Sequence, residues 1–310
     1  MKKVIVLVGP TGVGKTGASI LLAKQLDTEI ISADSMQIYR GMDIGTAKPS
    51  KKKLAEVKHH MIDIIEPTDS YSAGQYIEAV TTIMEGLHKK GRIPIVVGGT
   101  GLYIKAMTRG LFEGPSADLP LREELLSMEQ KSPGSLYACL VRLDADTAEN
   151  IQKNDVRRIV RAVEVCVKSR EKISRLRKDL TSPLPYDFIK IGLTRERKEL
   201  YRMIDERVEK MFSAGLLEEA EKLLSKCPDR TAMQAIGYKE LAMYLNKEID
   251  KDEAVRLIKR NSRRYAKRQF TWFRKEENII WLDVTGIFGS NGVFYAIKDL
   301  LVRVCPDIFS

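Results

Sequence analysis

The stretch Val-Ile-Val-Leu-Val-Gly-Pro-Thr-Gly-Val-Gly-Lys-Thr, residues 4–16, decides the fold class of this chain. Its β-branched first part, Val4–Val8, predicts a short buried strand, and the residues that follow Lys15 have a helical pattern. Between them, residues 9–16 match the pattern G-x-x-x-x-G-K-[ST] in the strand–loop–helix context that the pattern requires. The sequence therefore predicts a phosphate-binding loop at the end of the first strand.

The residue types of this loop suit a phosphate ligand. Its glycines allow backbone N–H groups to surround phosphate oxygens, and the helix that follows adds a favourable dipole. We expect Lys15 to neutralise a diphosphate and Thr16 to hold Mg²⁺ through its hydroxyl. The expected phosphate-binding residues are Gly9, Thr11, Gly12, Val13, Gly14, Lys15 and Thr16. The loop alone would indicate nucleotide binding, with ATP as the ligand, but it does not decide which phosphate compound is bound.

Further strands and helices alternate along the sequence. Strands are predicted at Glu29–Ala33, His60–Ile65, Ile93–Val97, Phe188–Leu193 and Ile279–Val284. This alternation predicts an α/β fold, a P-loop parallel sheet flanked by helices. Ligands of such sheets bind beyond the carboxyl ends of the strands. We therefore expect three strand ends, Gly9–Thr16, Asp34-Ser35 and Gly98–Gly101, to converge on one site.

A change in turn residues indicates a helical insertion in this core. Gly114-Pro115-Ser116 and Pro120 open the insertion, and Ser182–Pro185 closes it. We expect residues 1–116 to form the first part of the α/β core, residues 117–186 a helical insertion domain, and residues 187–310 the second part of the core. Helices are predicted at Lys15–Leu26, Ser72–Lys89, Leu121–Gln130, Asp146–Asn150, Asp155–Ser169, Glu196–Phe212, Leu216–Ser225, Thr231–Leu245, Asp252–Arg274 and Gly292–Val302.

Composition and cysteine placement exclude several classes of protein. Hydrophobic residues make up 44% and charged residues 30% of the chain, which is typical of a globular protein. The longest apolar run, Val4–Val8, is far shorter than the roughly 20 residues of a membrane span, and no signal-peptide cleavage site follows it. The four cysteines form no metal-binding cluster with the three histidines. We therefore expect no structural zinc and a reducing, cytoplasmic location.

Asp34 follows the second predicted strand and has two interpretations. An aspartate before a serine often caps the next turn. A carboxylate facing the phosphate loop could instead bind Mg²⁺ through water or accept a proton from a nucleophile. The strand at residues 93–97 ends in Gly98-Gly99-Thr100 rather than in the carboxylate usual for NTPases, which weakens an ATPase interpretation and leaves a kinase possible.

A basic segment dominates the C-terminal third of a chain whose formal net charge is +10. Arg256–Lys275 contains nine lysines and arginines and no acidic residue. At about 100° per residue, Arg256, Lys259, Arg260, Arg263, Arg264 and Lys267 fall on one helix face. A solvated basic face is the alternative, but such faces usually carry acids four residues away. Because these acids are absent from the segment, we favour a nucleic-acid ligand.

Taken together, these segments resemble the tRNA dimethylallyltransferases, also called isopentenyl-tRNA transferases. The most specific block is Ile-Ser-Ala-Asp-Ser-Met-Gln-Ile-Tyr-Arg-Gly-Met-Asp-Ile-Gly-Thr-Ala-Lys-Pro at residues 31–49. The similarity extends over nearly the whole chain, through residues 9–16, 60–63, 71–73, 97–103, 154–158, 237–238 and 267–272.

The resemblance implies a reaction and a set of roles. The family transfers a dimethylallyl group from dimethylallyl diphosphate to N6 of adenosine 37 in the tRNA anticodon loop, with Mg²⁺. By resemblance, Asp34 is the general base, Thr100 contacts substrate and Arg207 lies near the leaving group. The implied tRNA contacts are Asp34, Ser35, Met36, Gln37, Thr100, Arg122, Arg157, Arg158, Ile159, Val160, Arg161, Gln234, Gly237, Tyr238, Lys239, Arg264, Lys267 and Arg268. We expect a monomer with no membrane partner.

Two other functions compete with this hypothesis. A P-loop kinase would use the same loop with ATP and could use the helical insertion as a lid. A non-enzymatic RNA-binding protein would use the loop only to hold backbone phosphate, and its tRNA binding would be sensitive to salt.

Overall fold

Six parallel strands make up the sheet in the part of the chain that the structure describes. The computed structural model describes residues 1–112, 114–179, 181–229 and 231–309. The strands are β1 Lys3–Val8, β2 Ile30–Ala33, β3 His59–His60, β4 Ile95–Gly98, β5 Asp187–Thr194 and β6 Ile279–Asp283. Their order is β3-β2-β4-β1-β5-β6, and every pairing is parallel. The predicted α/β class with a parallel sheet is confirmed.

The helices connect these strands and continue after them. In chain order they are α1 Lys15–Gln25, α2 Lys51–Glu56, α3 Ala73–Lys89, α4 Gly101–Arg109, α5 Leu119–Lys131, α6 Ser135–Leu143, α7 Ala145–Glu149, α8 Val156–Ser169, α9 Ile173–Asp179, α10 Arg197–Ser213, α11 Leu216–Leu224, α12 Tyr238–Leu245, α13 Lys251–Phe273 and α14 Gly289–Val304. Ser72 caps α3 in a capping box with Gln75. No helix in the described ranges is both long and apolar enough to cross a membrane.

The core surrounds β1, the strand on which the fold prediction rested. Residues Val4–Val8 are fully buried between β4 and β5, because continuous β-branched runs suit strands covered on both faces. One apolar cluster joins this strand to α1 and α14. A second cluster, around Tyr39, Val208 and Tyr238, is formed by α10–α13 and the loop after β2.

Two local predictions are wrong, and backbone geometry explains both. The third strand stops at His60 instead of reaching Ile65, because Met61 and Asp63 have φ values of 62° and 55°, which extended strands do not allow. The helix predicted over residues 231–245 is interrupted before α12. Gly237 there has a φ of 102°, which favours glycine and is incompatible with a continuous α-helix.

The chain divides into two compact units, Met1–Lys105 with Pro185–Ser310, and Ala106–Leu184. The sequence prediction instead placed the insertion at residues 117–186. The first boundary lies earlier because Met107 is held by the end of the same segment: its carbonyl accepts a hydrogen bond from Leu184 N at 3.1 Å. Within this helical unit, α5–α9 pack around a core that includes Leu136 and Val163.

Candidate active site

The sheet brings the three predicted strand ends side by side. Val8 pairs with Gly98, and Gly98 pairs with Ala33 on its other side. The loops that leave these residues are the phosphate loop, the turn that carries Asp34 and the turn that carries Thr100. Because parallel strands place their carboxyl ends at one edge, all three loops start at the same level of the sheet.

The backbone of the phosphate loop binds the side chain of the loop's own lysine, Lys15. Lys15 Nζ donates to the carbonyl oxygens of Gly9 and Pro10, each at 2.8 Å. Burial lowers the pKa of Lys15 to about 7; the Asp34 carboxylate opposes this shift and the Arg207 guanidinium adds to it. The Lys15 ammonium is therefore a poorly solvated cation, and an anion in the loop would stabilise it.

Arg207 reaches the phosphate loop from α10. Its Nη1 donates to Thr11 Oγ1 at 3.1 Å. Burial lowers the pKa of Arg207, and the Asp34 carboxylate opposes that shift. Two cations and one carboxylate thus share a small region at the mouth of the loop.

Asp34 and Thr100 are linked through the turn between them. Asp34 Oδ1 accepts the Met36 N–H at 2.9 Å, so the capping role considered for this residue is real. Thr100 Oγ1 accepts the Ser35 N–H at 2.9 Å and donates to Ser35 Oγ at 3.3 Å. The Thr100 side chain thus holds the turn that presents Asp34.

A cavity of about 260 Å³ opens beside the phosphate loop. Its polar lining includes Thr11, Asp34 and Arg207. Its apolar wall comes from α10, α11, α13 and the segment before α12, and consists of Ile204, Val208, Met211, Leu216, Ala235, Ile236 and Ile258. The cavity therefore has a charged end, with the loop and the carboxylate, and an apolar interior.

The predicted tRNA-contact residues near this cavity divide into two groups. Asp34, Ser35, Met36, Gln234, Gly237 and Arg268 line it. Gln37 instead donates to the carbonyls of Thr46 and Ala47 at 3.2 and 3.4 Å. Lys239 is exposed, but Tyr238 is fully buried and its hydroxyl donates to Glu219 at 2.6 Å. The Tyr238 side chain therefore has a packing role, and the contact of this segment with tRNA stays a prediction.

The inference from missing acids on the basic helix is also corrected. Arg256 pairs with Glu253 on the same helix, just before the segment. Two acidic residues on α10 pair with further cations of the segment: Lys259 pairs with Glu209, and Arg263 pairs with Asp205 at 2.5 Å. By contrast, Arg264, Lys267 and Arg268 are exposed and form no ion pair within the described part of the chain. The uncompensated charge is therefore concentrated in the second half of α13.

In the helical unit, two predicted tRNA-contact arginines share one buried carboxylate. Arg122 binds Glu164 through Nε and Nη2, each at 2.9 Å, and Arg161 Nη1 binds it at 2.6 Å. Arg157 and Arg158 on the same helix are exposed. Ile159 and Val160 are buried in the core of this unit, at 1% and 5% exposure, so their side chains pack in this core, and the contact of this segment with tRNA stays a prediction.

We expect Glu164→Gln to destabilise the helical unit by roughly 3 kcal/mol, near the low end for breaking a buried ion pair because both arginines are about one-third exposed. Burial by itself raises the pKa of Glu164, but the bonds from Arg122, Asp118 and Arg161 lower it overall. The stabilisation is therefore present above the unfolded pKa and is lost as the pH falls through the lower folded pKa. Urea unfolding and hydrogen exchange of α5 and α8 measure both effects. The exposed Glu171→Gln is the control, and equal behaviour of the two variants contradicts the prediction.

Sequence reasoning gave no role to several residues of the site. Tyr265 lines the cavity, and burial raises its pKa, with the charge of Asp34 as the next cause. Gln269 is buried and contacts both the phosphate loop and Gly99. Gln269 lies in the quoted block 267–272, so the resemblance marked the segment without indicating what the glutamine does.

The fold and the site identify the class of this protein. It is a P-loop α/β protein whose phosphate loop opens into an apolar-walled cavity. Residues 37–276 match the family of IPP transferases, and the chain belongs to that family. It is 54% identical to a tRNA dimethylallyltransferase of Thermodesulfovibrio yellowstonii, over 92% of this chain and 93% of that protein. It is 45% identical to the Thermotoga maritima tRNA dimethylallyltransferase over 99% of both chains.

Solved structures give the same assignment. A full-length tRNA isopentenylpyrophosphate transferase from Bacillus halodurans is 39% identical, with a TM-score of 0.73 over 99% of this chain and 98% of that one. A eukaryotic dimethylallyltransferase described as acting on tRNA is 28% identical, with a TM-score of 0.80 over 99% of this chain and 79% of that one. The family resemblance stated from the sequence is confirmed.

Proposed function

We propose that this protein transfers a dimethylallyl group from dimethylallyl diphosphate to N6 of adenosine 37 in tRNA. The observation that carries the proposal is the cavity that joins an apolar wall to the phosphate loop, Asp34 and Arg207. A prenyl diphosphate has the matching two-part chemistry, a charged head and an apolar tail. The polar sugar of ATP would gain little from that wall, which is why we favour the prenyl donor over a kinase substrate.

The leaving group is stabilised by cations at the charged end of the cavity. As the bond between C1 of the prenyl group and the diphosphate oxygen breaks, negative charge develops on the phosphates. Lys15 and Arg207 stand at this loop, and both are held in poorly solvated positions. Fixed charges in such surroundings stabilise a developing anion more than the same charges in water.

Asp34 accepts the proton that the reaction releases. The exocyclic amine of adenine is a weak nucleophile because its lone pair is delocalised into the ring. As N6 bonds to C1 of the prenyl group, one N6 proton passes to the Asp34 carboxylate, and diphosphate leaves with the electrons of the broken C–O bond. The hydrogen bond from Met36 N to Oδ1 fixes the carboxylate and leaves Oδ2 available for that proton.

Mg²⁺ is the cofactor that we propose for the diphosphate. Mg²⁺ keeps several waters and binds through one or two protein oxygens together with substrate phosphates, so a dedicated protein cage is not needed. The Thr16 hydroxyl at the start of α1 fits that requirement. No cluster of three or more metal-binding His, Cys, Asp or Glu side chains occurs among the described residues. When bound, the ion would offset the charge of the phosphates.

We propose that the tRNA anticodon loop contacts Arg264, Lys267 and Arg268 of α13, with the target base entering the cavity that Arg268 lines. A base must leave its stack to reach such a site, and single-stranded loops permit this at the lowest energetic cost.

We further propose that the protein acts in the cytoplasm as a monomer. The unbridged thiols of Cys139, Cys166, Cys227 and Cys305 suit that reducing compartment.

The test combines the purified protein with labelled dimethylallyl diphosphate, Mg²⁺ and unmodified tRNA that carries adenosine 37. We expect label in the tRNA and N6-(dimethylallyl)adenosine by mass analysis, with none in the same tRNA bearing guanosine 37. Transfer of the ATP γ-phosphate without prenyl transfer would support the kinase instead. Salt-sensitive tRNA binding without either chemistry would support an RNA-binding protein.

Lys267→Ala should reduce the salt dependence of tRNA binding. Each lost phosphate contact lowers the slope of log K against log salt concentration by about 0.7–0.9. Lys259→Ala on the same helix is the matched control, because Glu209 already compensates the charge of Lys259. Fluorescence anisotropy at several salt concentrations measures both slopes. Equal slopes for the two variants would contradict the prediction, because they would show that ion pairing with α10 does not determine which cations of α13 bind RNA phosphates.

A further inference from the structure

The side chain of Gln269 joins two loops of the active site. It lies on α13 and is 6% exposed. Its Oε1 accepts the Thr11 N–H of the phosphate loop at 2.8 Å, and its Nε2 donates to the Gly99 carbonyl at 2.9 Å. The two partners also fix the orientation of the amide, because only the oxygen can accept from an N–H and only the nitrogen can donate to a carbonyl.

On the loop side, Gln269 immobilises the residue that also holds Arg207. The Thr11 backbone binds Gln269, and the Thr11 hydroxyl accepts from Arg207 Nη1 at 3.1 Å. Thr11 is thus held from α13 through its backbone and from α10 through its side chain. The position of the phosphate loop relative to both helices therefore depends on the contacts of Thr11.

On the other side, the amide packs closely against Gly99. A Cβ at residue 99 would lie 2.1 Å from Gln269 Nε2, so any larger residue there would displace the amide. The next residue, Thr100, accepts the Ser35 N–H at 2.9 Å, and Ser35 follows Asp34 directly. Three hydrogen bonds, joined by the peptide links 99–100 and 34–35, therefore connect the phosphate loop through Gln269 to the turn of the carboxylate.

We propose that Gln269 is a positioning residue that fixes the distance between the diphosphate in the loop and the carboxylate of Asp34. This inference rests on the proposed function. In prenyl transfer the leaving group and the base act on opposite partners of the new C–N bond, so both must hold their places at the same moment. Gln269 sets that spacing through Thr11 on one side and through Gly99 and Thr100 on the other. A misplacement of 1 Å can lower a rate by about 100-fold.

The main test is Gln269→Met, which keeps the length of the side chain and removes both hydrogen bonds. We expect kcat for prenyl transfer to fall about 10- to 100-fold. The KM for dimethylallyl diphosphate should change much less than kcat, and the Kd for tRNA should stay within about twofold, since Gln269 contacts the loop backbone and not the exposed cations of α13. Because a loss of folded protein would also lower the apparent kcat at unchanged KM, kcat is calculated per molecule of enzyme that binds tRNA in a stoichiometric titration, and a fall that persists after this correction distinguishes positioning from misfolding.

Asn261→Leu is the matched control. Asn261 also lies on α13, and its amide donates to Glu240 of α12 at 2.7 Å instead of to the phosphate loop. We expect this variant to lose thermal stability and to keep the wild-type kcat. If Gln269→Met does not fold, Gln269→Glu keeps an acceptor for the Thr11 N–H and loses the donor to Gly99, and the same fall in kcat is expected.

The inference fails if a folded Gln269 variant turns over within about threefold of the wild type, or if Asn261→Leu lowers kcat as much as Gln269→Met does. Absence of turnover by the wild-type protein would instead overturn the proposed function, so the two failures are distinguishable.

Discussion

Asp34→Asn should lower kcat for prenyl transfer by about 10²- to 10⁴-fold, the usual contribution of a general base, and we expect the Kd for tRNA to stay nearly unchanged. The reason lies in the two functions of this side chain. Its Oδ1 accepts the Met36 N–H, which an asparagine oxygen also does, so the turn is preserved. The proton from N6 then has no carboxylate to accept it. Single-turnover rates with saturating tRNA and prenyl diphosphate measure the loss.

Asp283→Asn supplies the control for Asp34→Asn. Asp283 Oδ1 accepts the Thr285 N–H at 2.9 Å, which is the same bond to the residue two positions later, at the end of the edge strand β6. We expect wild-type turnover from this variant. If Asp34→Asn lowers tRNA affinity as much as turnover, the role of Asp34 is to hold the turn and it is not the base.

We expect Lys15→Met to lower kcat/KM for dimethylallyl diphosphate by about 10²- to 10³-fold, comparable to the loss of one preorganised donor in an oxyanion site. The Lys15 ammonium is held against the Gly9 and Pro10 carbonyls, where bound phosphates would replace or share these contacts. Methionine fills a similar volume without charge, so the loop keeps its packing. Calorimetric titration with inorganic diphosphate and steady-state kinetics measure binding and turnover separately.

Lys24→Met is the matched control for Lys15→Met, because Lys24 lies on the same helix and its ammonium pairs with Glu56 at the surface. This variant is expected to bind diphosphate as the wild type does. If Lys15→Met binds diphosphate as tightly as the wild type does, the assignment of the loop as the binding site of the diphosphate leaving group is contradicted.

Much of the site was readable from the sequence, because its parts stand at strand ends. The strand Val4–Val8 and the turns with Asp34 and Thr100 were each recognisable locally, and the rule for parallel sheets predicted that they meet. The pairing of Val8, Ala33 and Gly98 confirms that convergence. Arg207 needed the family resemblance, since nothing in its local sequence separates it from other arginines on α10.

Charge pairing was predicted least well. The basic helix carries no acid of its own between Arg256 and Lys275, but α10 contributes Glu209 and Asp205 to it. Likewise, Arg122 and Arg161 looked like available cations until the structure placed Glu164 between them. Periodicity shows which residues share one helix face and does not show what packs against that face.

The sequence by itself determined the parallel sheet, the phosphate loop and the edge of the sheet where the three loops meet, because strand, loop and helix signals are local and parallel strands share one orientation. Only the tertiary structure decided which cations remain unpaired, which residues form the apolar wall of the cavity, and that Gln269 contacts Thr11. That last pair is separated by 258 positions. Contacts at such separations follow from how helices pack on the sheet, and packing depends on the shapes of all the surfaces involved rather than on any short stretch of residues.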